Sequence, residues 1–258
     1  MKDVNKKRGI ENEMNKQISI TSRNGYTLMG VYTIPEGVEK APVVVNVHGF
    51  GGNKCGYKNL HVQMARELEK NGIACVRFDM YGNGESDGEF SDMTFTSLLQ
   101  DTEDICNWVK EQEWAGEIIL SGQSMGGYVA ACAAPIIQPA KLILQCPGAG
   151  MWNGALERAL AMEEKGIFTA DIEGLCFSTA FNKDLHQYEP YAAAKGYEGP
   201  VLLVRGTEDK LVDTATCEKY TEVYGENCTY IELEGGNHNF SSISVREQLF
   251  RQIREFCK

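Results

Sequence analysis

Six short apolar runs punctuate the chain: VVVNV (43–47), IACVRF (73–78), EIILSG (117–122), KLILQC (141–146), VLLVRG (201–206) and CTYIEL (228–233). Each is too short for a buried helix and too continuously apolar for a strand with one wet face, so each reads as a strand buried on both sides. Helical patterns separate most of them, over 57–70, 95–112, 125–137, 214–224 and 241–257. Leu98, Ile105 and Val109 carry the three-to-four spacing of the second, and Asn71-Gly72 ends the first. Strand alternating with helix commits the chain to an α/β fold with a mostly parallel sheet flanked by helices. Ahead of it, QISITS and YTLMGVYT flank Asn24-Gly25, the pair that favours a type I′ turn, so an antiparallel entry hairpin is expected. Some fifty residues lie between KLILQC, the sixth strand, and VLLVRG. That is far longer than an ordinary connection and marks an insertion. The division expected is a core of 1–147 and 198–258 with a lid or cap at 148–197. The first 14 or so residues are polar and are expected to fray.

Charge narrows the partners. A formal net charge of -11 on 258 residues repels phosphate backbones and anionic lipid surfaces. The one basic run, Lys6-Lys7-Arg8, lacks the apolar core of a signal peptide. The apolar runs fall far short of the roughly 20 residues that span a bilayer. Nine cysteines, an odd number scattered singly, suit a reducing compartment. No CxxC pair or zinc-type spacing occurs in the sequence. The expectation is a soluble, cytoplasmic chain with no metal, no nucleic acid partner and no membrane insertion; a homodimer is compatible with it.

Chemistry concentrates in SGQSMGG, where a strand must become a helix within a residue or two. Such a turn needs small neighbours, and Gly122 and Gly126 supply them around Ser124. A serine hydroxyl needs a base, usually a histidine oriented by a carboxylate. Of the four histidines, His61 sits in a helical pattern and reads as a helix-surface or core-edge residue. His186 lies in the insertion, where substrate contact and solvent exposure are both open, and His48 reads as structural. His238, in LEGGNHNF after the last strand, is the base expected. Glu208, Asp209 and Asp213 follow VLLVRG at the same edge of the sheet. Asp209 is preferred as the acid, because Asp213 falls where the next helix would be capped. In NVHGFGGNK the glycines let the amide of Phe50 face that of Met125, giving two donors for an oxyanion. FDMYGNGESDGEF has the wrong glycine spacing for dinucleotide binding and reads as a wall loop of the site, with Asp79 and Asp87 as loop-fixing acceptors.

Together HGFGGNK, RFDMYGNGESDG, GQSMGG, GTEDKLV and GGNHNF resemble the α/β-hydrolase superfamily, from about residue 17 to the end. More narrowly the chain resembles the cinnamoyl and feruloyl esterases of intestinal bacteria, which share the HGF loop, the SDG turn and an insertion of this size. The resemblance implies a triad of Ser124, Asp209 and His238 with Phe50 and Met125 as oxyanion donors. It also implies substrate contacts at Gly49, Gln123, Trp152, Asn153, Phe177 and Ser178. Where the related esterases hold a phenolic hydroxyl with polar groups on the insertion, this sequence carries Asn153-Gly154 and Phe177-Ser178, a departure from the pattern. The aromatic load of the insertion, which includes Trp152, Phe168, Phe177, Phe181, Tyr188 and Tyr191, suits a cover over an acyl or aryl pocket.

The function expected is a serine carboxylesterase acting through an acyl-enzyme on small acyl or cinnamoyl-type esters, with a small-molecule ester as partner and no cofactor. A monoacylglycerol lipase, an acyl-peptide hydrolase and a silent binding module of the same fold are the alternatives.

Overall fold

The computed structural model describes residues 16–258. The polar stretch 1–14, with its basic run, lies outside the described residues. The chain enters through two antiparallel strands, β1 (Lys16–Thr21) and β2 (Thr27–Thr33). The turn between them differs from expectation. The amide of Gly25 donates to the Ser22 carbonyl, and Gly25 is the turn residue with positive φ (83°), while Asn24 is not. This is a type I turn followed by a left-handed glycine, the three-residue hairpin, because a type I′ turn needs positive φ at both central positions.

The parallel strands β3 (Ala41–Val47), β4 (Ala74–Phe78), β5 (Ala115–Gln123), β6 (Lys141–Gln145), β9 (Val201–Gly206) and β10 (Cys228–Leu233) match the six apolar runs. The eight-stranded order is β1-β2-β4-β3-β5-β6-β9-β10, with β2 antiparallel to β4. Every residue of β4 and β9 is buried, as expected of strands covered on both faces. Register is set by the same apolar side chains: Val45 lies opposite Val76 on one side and Leu120 on the other.

The helices are α1 (Leu60–Glu69), α2 (Phe95–Lys110), α3 (Met125–Ile137), α7 (Thr214–Tyr224) and α8 (Ile243–Cys257). Helix α1 packs against α8 and α2 against α3, so each apolar stripe finds a partner beyond the sheet. Helix α2 starts at a capping box in which Thr94 and Ser97 bond each other's backbone. Helix α3 is buried on nearly every side, which its run of alanines permits.

Between β6 and β9 the long connection folds into α4 (Ala155–Glu163), an antiparallel pair β7 (Thr169–Ile172) and β8 (Leu175–Ser178), α5 (Thr179–Leu185) and α6 (Pro190–Ala193). Here the two-residue primed turn does occur, at Glu173-Gly174, where φ is 54° and 90°. Phe177 and Phe181 from this segment enclose the Phe50 ring, with centroids 5.2 and 6.0 Å away. Asp184 accepts from the amide and hydroxyl of Thr96 at the start of α2, and the Tyr128 hydroxyl donates to the Tyr188 carbonyl.

Candidate active site

Ser124 occupies the single residue between β5 and α3 with φ 56° and ψ −122°, a conformation that side-chain-bearing residues rarely adopt. The tightness of that turn explains both flanking glycines. A Cβ on Gly122 would sit 2.0 Å from the Gly126 carbonyl oxygen, and one on Gly126 would sit 2.3 Å from that of Val47. The Ser124 amide donates to the Gln145 carbonyl (2.9 Å), and its own carbonyl accepts from Gly127, Tyr128 and Gly148, so the elbow is held from four directions.

Two loops at the same edge of the sheet bring up the partners. After β9, Asp209 turns its carboxylate inward. Oδ1 accepts from the amides of Leu211 (2.8 Å) and Val212 (3.0 Å). The loop after β10 crosses it closely, the Gly236 carbonyl accepting from the Glu208 amide at 2.8 Å. Gly206 is required there, since a Cβ would meet that carbonyl oxygen at 2.0 Å. This crossing delivers His238, whose Nδ1 lies 2.9 Å from Asp209 Oδ2 and whose Nε2 lies 2.9 Å from Ser124 Oγ. Ionised carboxylate accepts only, so Nδ1 carries the proton and Nε2 is free to accept from the serine hydroxyl. Burial raises the Asp209 pKa, but the His238 bond and the amides of Val212 and Leu211 outweigh it and hold the carboxyl below its ordinary value.

Asp213 accepts from the Thr216 amide (2.8 Å) as the cap of α7, and Glu208 is exposed. His48 also has the structural place expected: Nδ1 bonds the Gly49 carbonyl, and Nε2 accepts from the Met80 amide. Among the described residues no protein acceptor takes up the amides of Phe50 or Met125, which leaves both donors for an anion beside Ser124. Gly49 lies against the nucleophile, where a Cβ would come within 3.3 Å of the Ser124 Cβ.

A cleft of about 900 Å³ opens over Ser124, and Gly49, Phe50, Gln123, Met151, Leu211 and His238 are among its walls. Four expected substrate contacts lie elsewhere. Trp152 and Asn153 line a separate pocket of about 220 Å³ with Glu189 and Lys219, and Trp152 stacks on exposed His186. Phe177 is packed behind Phe50, and Ser178 spends its hydroxyl capping α5. Phe177 and Phe181 are drawn into packing and Phe168 stays 60% exposed, so the cleft takes Met151 and Glu173 from that segment instead.

The FDMYGNGESDGEF stretch contributes no wall to the cleft either. It wraps around Asp79, which is fully buried and bonds the amide of Lys54 (2.6 Å), the Lys54 ammonium and the amide of Glu85. Asp87 accepts from the Thr27 amide. The stretch thus supports the HGFGGNK loop from behind. His61 corrects the reading of a surface or core-edge residue: it is 1% exposed, and its Nε2 lies 3.0 Å from Gln123 Oε1. Arg205 belongs to no motif in the sequence; from β9 it bonds the carbonyls of Val212 and Asp209 and fixes the acid's loop. Cys146, Asp209 and His238 bring a sulfur, a carboxylate oxygen and a ring nitrogen within 4.8 Å of one another, but the last two are already bonded together. None of the helices among the described residues is long and apolar enough to cross a membrane.

Comparison with known proteins bears on the fold and the family. A mouse mitochondrial palmitoyl-protein thioesterase, ABHD10, is 28% identical over 187 residues, covering 67% of this chain and 60% of its own length. Two uncharacterised 31.7 kDa proteins of Escherichia coli are 34% identical over shorter stretches, so the chain spans only 39% and 33% of those relatives. The structure of Est1E from Butyrivibrio proteoclasticus with bound ferulic acid superposes with a TM-score of 0.82 at 24% identity, over 93% of this chain and 97% of that one, and shares its fold. The family model described as "Serine aminopeptidase, S33" matches residues 39–170, just over half of the chain. The chain belongs to that family and has the α/β-hydrolase fold.

Proposed function

We propose that the chain is a carboxylic ester hydrolase that forms an acyl-enzyme on Ser124. The observation that carries this reading is the unbroken series Ser124 Oγ, His238, Asp209, each link 2.9 Å. As Oγ attacks the ester carbonyl, His238 Nε2 takes its proton, and Asp209 stabilises the imidazolium while keeping its tautomer. The oxyanion points at the amides of Phe50 and Met125, each donor lowering the barrier by about 3–4 kcal/mol. His238 then returns the proton to the leaving alcohol, and a water deprotonated by the same nitrogen releases the acid.

The substrate class proposed is small acyl or aryl esters, including the cinnamoyl and feruloyl type. Two observations support it: Phe50, Met151, Leu211 and Val212 give the cleft apolar walls, and the structural neighbour Est1E holds ferulic acid. Segment 148–197 is proposed to act as a cap, since Met151 and Glu173 reach the cleft from it. The likeness to the mouse thioesterase favours thioesters as a second class for the same acyl-enzyme.

A fluorophosphonate probe is expected to label Ser124, and Ser124→Ala is expected to lose both labelling and turnover. Labelling of another serine, or hydrolysis that survives Ser124→Ala, overturns the reading and leaves a binding role for the fold. Rates with methyl ferulate, aliphatic p-nitrophenyl esters, monoacylglycerols, acyl peptides and acyl thioesters then rank the substrate classes.

A further inference from the structure

We propose that His61, Gln123 and Cys146 are positioning residues that clamp the backbone of His238, setting how far its imidazole stands from Ser124. The loop carrying His238 is glycine-rich; its start is held at Gly235 and Gly236, and at His238 itself the backbone carbonyl is a further point of attachment. Two side chains reach that oxygen from neighbouring strands of the sheet. Gln123, the last residue of β5, places Nε2 3.3 Å away, and Cys146, just past β6, places Sγ 3.3 Å away. A carbonyl only accepts, so the Gln123 amide must present its NH2 to His238 and its Oε1 to His61. The imidazole of His61 must then donate through Nε2, and its Nδ1 is left bare, in keeping with Nδ1 having no partner among the described residues. His61 therefore acts on the base only through Gln123: its N–H holds the amide in the one orientation that grips the loop.

Two features keep the clamp in one state. Burial pushes the His61 pKa down to about 3 and the Cys146 thiol well above its ordinary value, so neither changes charge where a histidine base works. Gly56 leaves room for the ring, since a Cβ there would stand 2.6 Å from it. Cys146 adopts φ 40°, which brings its side chain back under the loop. Each bond is ordinary alone. Together they fix a residue whose catalytic distance tolerates little error.

This inference rests on the ester-hydrolase reading, and the experiment separates the two. Wild-type protein is first titrated with a fluorophosphonate; labelling at Ser124 upholds that reading independently of the clamp. His61→Phe keeps a flat ring and removes the donor, whereas His61→Gln keeps an N–H of similar reach. The expected result is a fall of roughly 10- to 50-fold in labelling rate and in kcat for His61→Phe. KM should stay within about twofold, the loss should be the same for aryl and aliphatic esters, and His61→Gln should recover most of it. Equal labelling of His61→Phe and wild type overturns the clamp, as do losses that depend on the substrate or a failure of His61→Gln to recover the rate. Should His61→Phe melt below the assay temperature, Gln123→Met is measured in its place. It must show the same fall in labelling rate, and a wild-type labelling rate for it overturns the clamp.

Discussion

Asp209 Oδ2 stands 2.9 Å from His238 Nδ1, whereas Asp213, four residues on, gives its carboxylate to the Thr216 amide at the start of α7. Two acids of one loop are thereby divided between orienting a histidine and capping a helix. Asp209→Asn is expected to lower kcat by roughly 10³–10⁴-fold, since the amide no longer enforces the tautomer in which Nε2 accepts. Asp213→Asn should leave kcat within about twofold, because asparagine caps a helix as well as aspartate. Steady-state rates for the two variants, with a thermal melt for each, check this. The reverse ranking would reassign the acid.

The elbow around Ser124 has no room for a methyl group. Gly122→Ala would drive Cβ into the Gly126 carbonyl, an atom that cannot move without opening the turn. A loss of about 3 kcal/mol or more is expected, with turnover abolished. Gly150 also lines the cleft, but a Cβ added there would meet nothing within 4 Å, so Gly150→Ala should fold as wild type. Urea midpoints for the pair test the contrast.

Much of this site was legible because its signals are local. A strand, one serine between small residues and a helix are adjacent in sequence, and the order serine, acid, histidine follows from where successive strands end. Asp213 was separable from Asp209 for a similar reason, as a cap is recognised by its distance from the helix it opens. The insertion was not legible in the same way. Phe177 has no periodic neighbours to give its direction, and its place behind Phe50 is decided by contacts among Phe50, Phe90 and Phe181, drawn from three separate segments. His61 did carry a signal: it shares the spacing of Met64, Ala65 and Leu68, the buried face of α1, and so belonged inside. Asp79 was legible as a loop-fixing acceptor from its place among glycines after a strand; that it ties Lys54 to Glu85, with Gly84 folded so that a Cβ would lie 2.2 Å from Oδ2 of the carboxylate, was not.

That carboxylate supports the loop bearing the Phe50 amide. The Asp79 side chain is 0% exposed and that of Lys54 is 14% exposed. Burial lowers the Lys54 pKa, but the bonds to Asp79 and Glu85 outweigh it and raise it. Asp79→Ala leaves two amides without their acceptor and the half-buried Lys54 ammonium with exposed Glu85 as its one remaining partner, so a cost of about 3 kcal/mol and a large fall in kcat are expected. Glu85, whose side chain is 74% exposed, also touches Lys54, yet Glu85→Gln should change stability by less than about 1 kcal/mol. Melting temperatures and rates of the two variants measure the difference between a buried and an exposed partner of one lysine.

The last prediction concerns pH and stability. Burial raises the Asp101 pKa to about 7, partly offset by the Tyr81 amide, and burial lowers that of His61 to about 3. For Asp101 the folded value exceeds the unfolded one, so its penalty is absent below about pH 4 and accumulates as pH rises to 7. For His61 the folded value lies below the unfolded one, so its penalty is absent above about pH 6.5 and accumulates as pH falls toward 3. The two slopes oppose each other between about pH 4 and 6.5, each worth on the order of 2–4 kcal/mol over its range, and their sum in the wild type is nearly flat. Asp101→Asn keeps an oxygen for the Tyr81 amide and removes one slope, so its stability should climb with pH across that window and exceed the wild type at pH 8. His61→Phe removes the other, and its stability should fall with pH instead. Urea unfolding at pH 4.5, 5.5, 6.5 and 8 reads both slopes, and parallel curves for all three proteins would show that neither group is held away from its ordinary pKa.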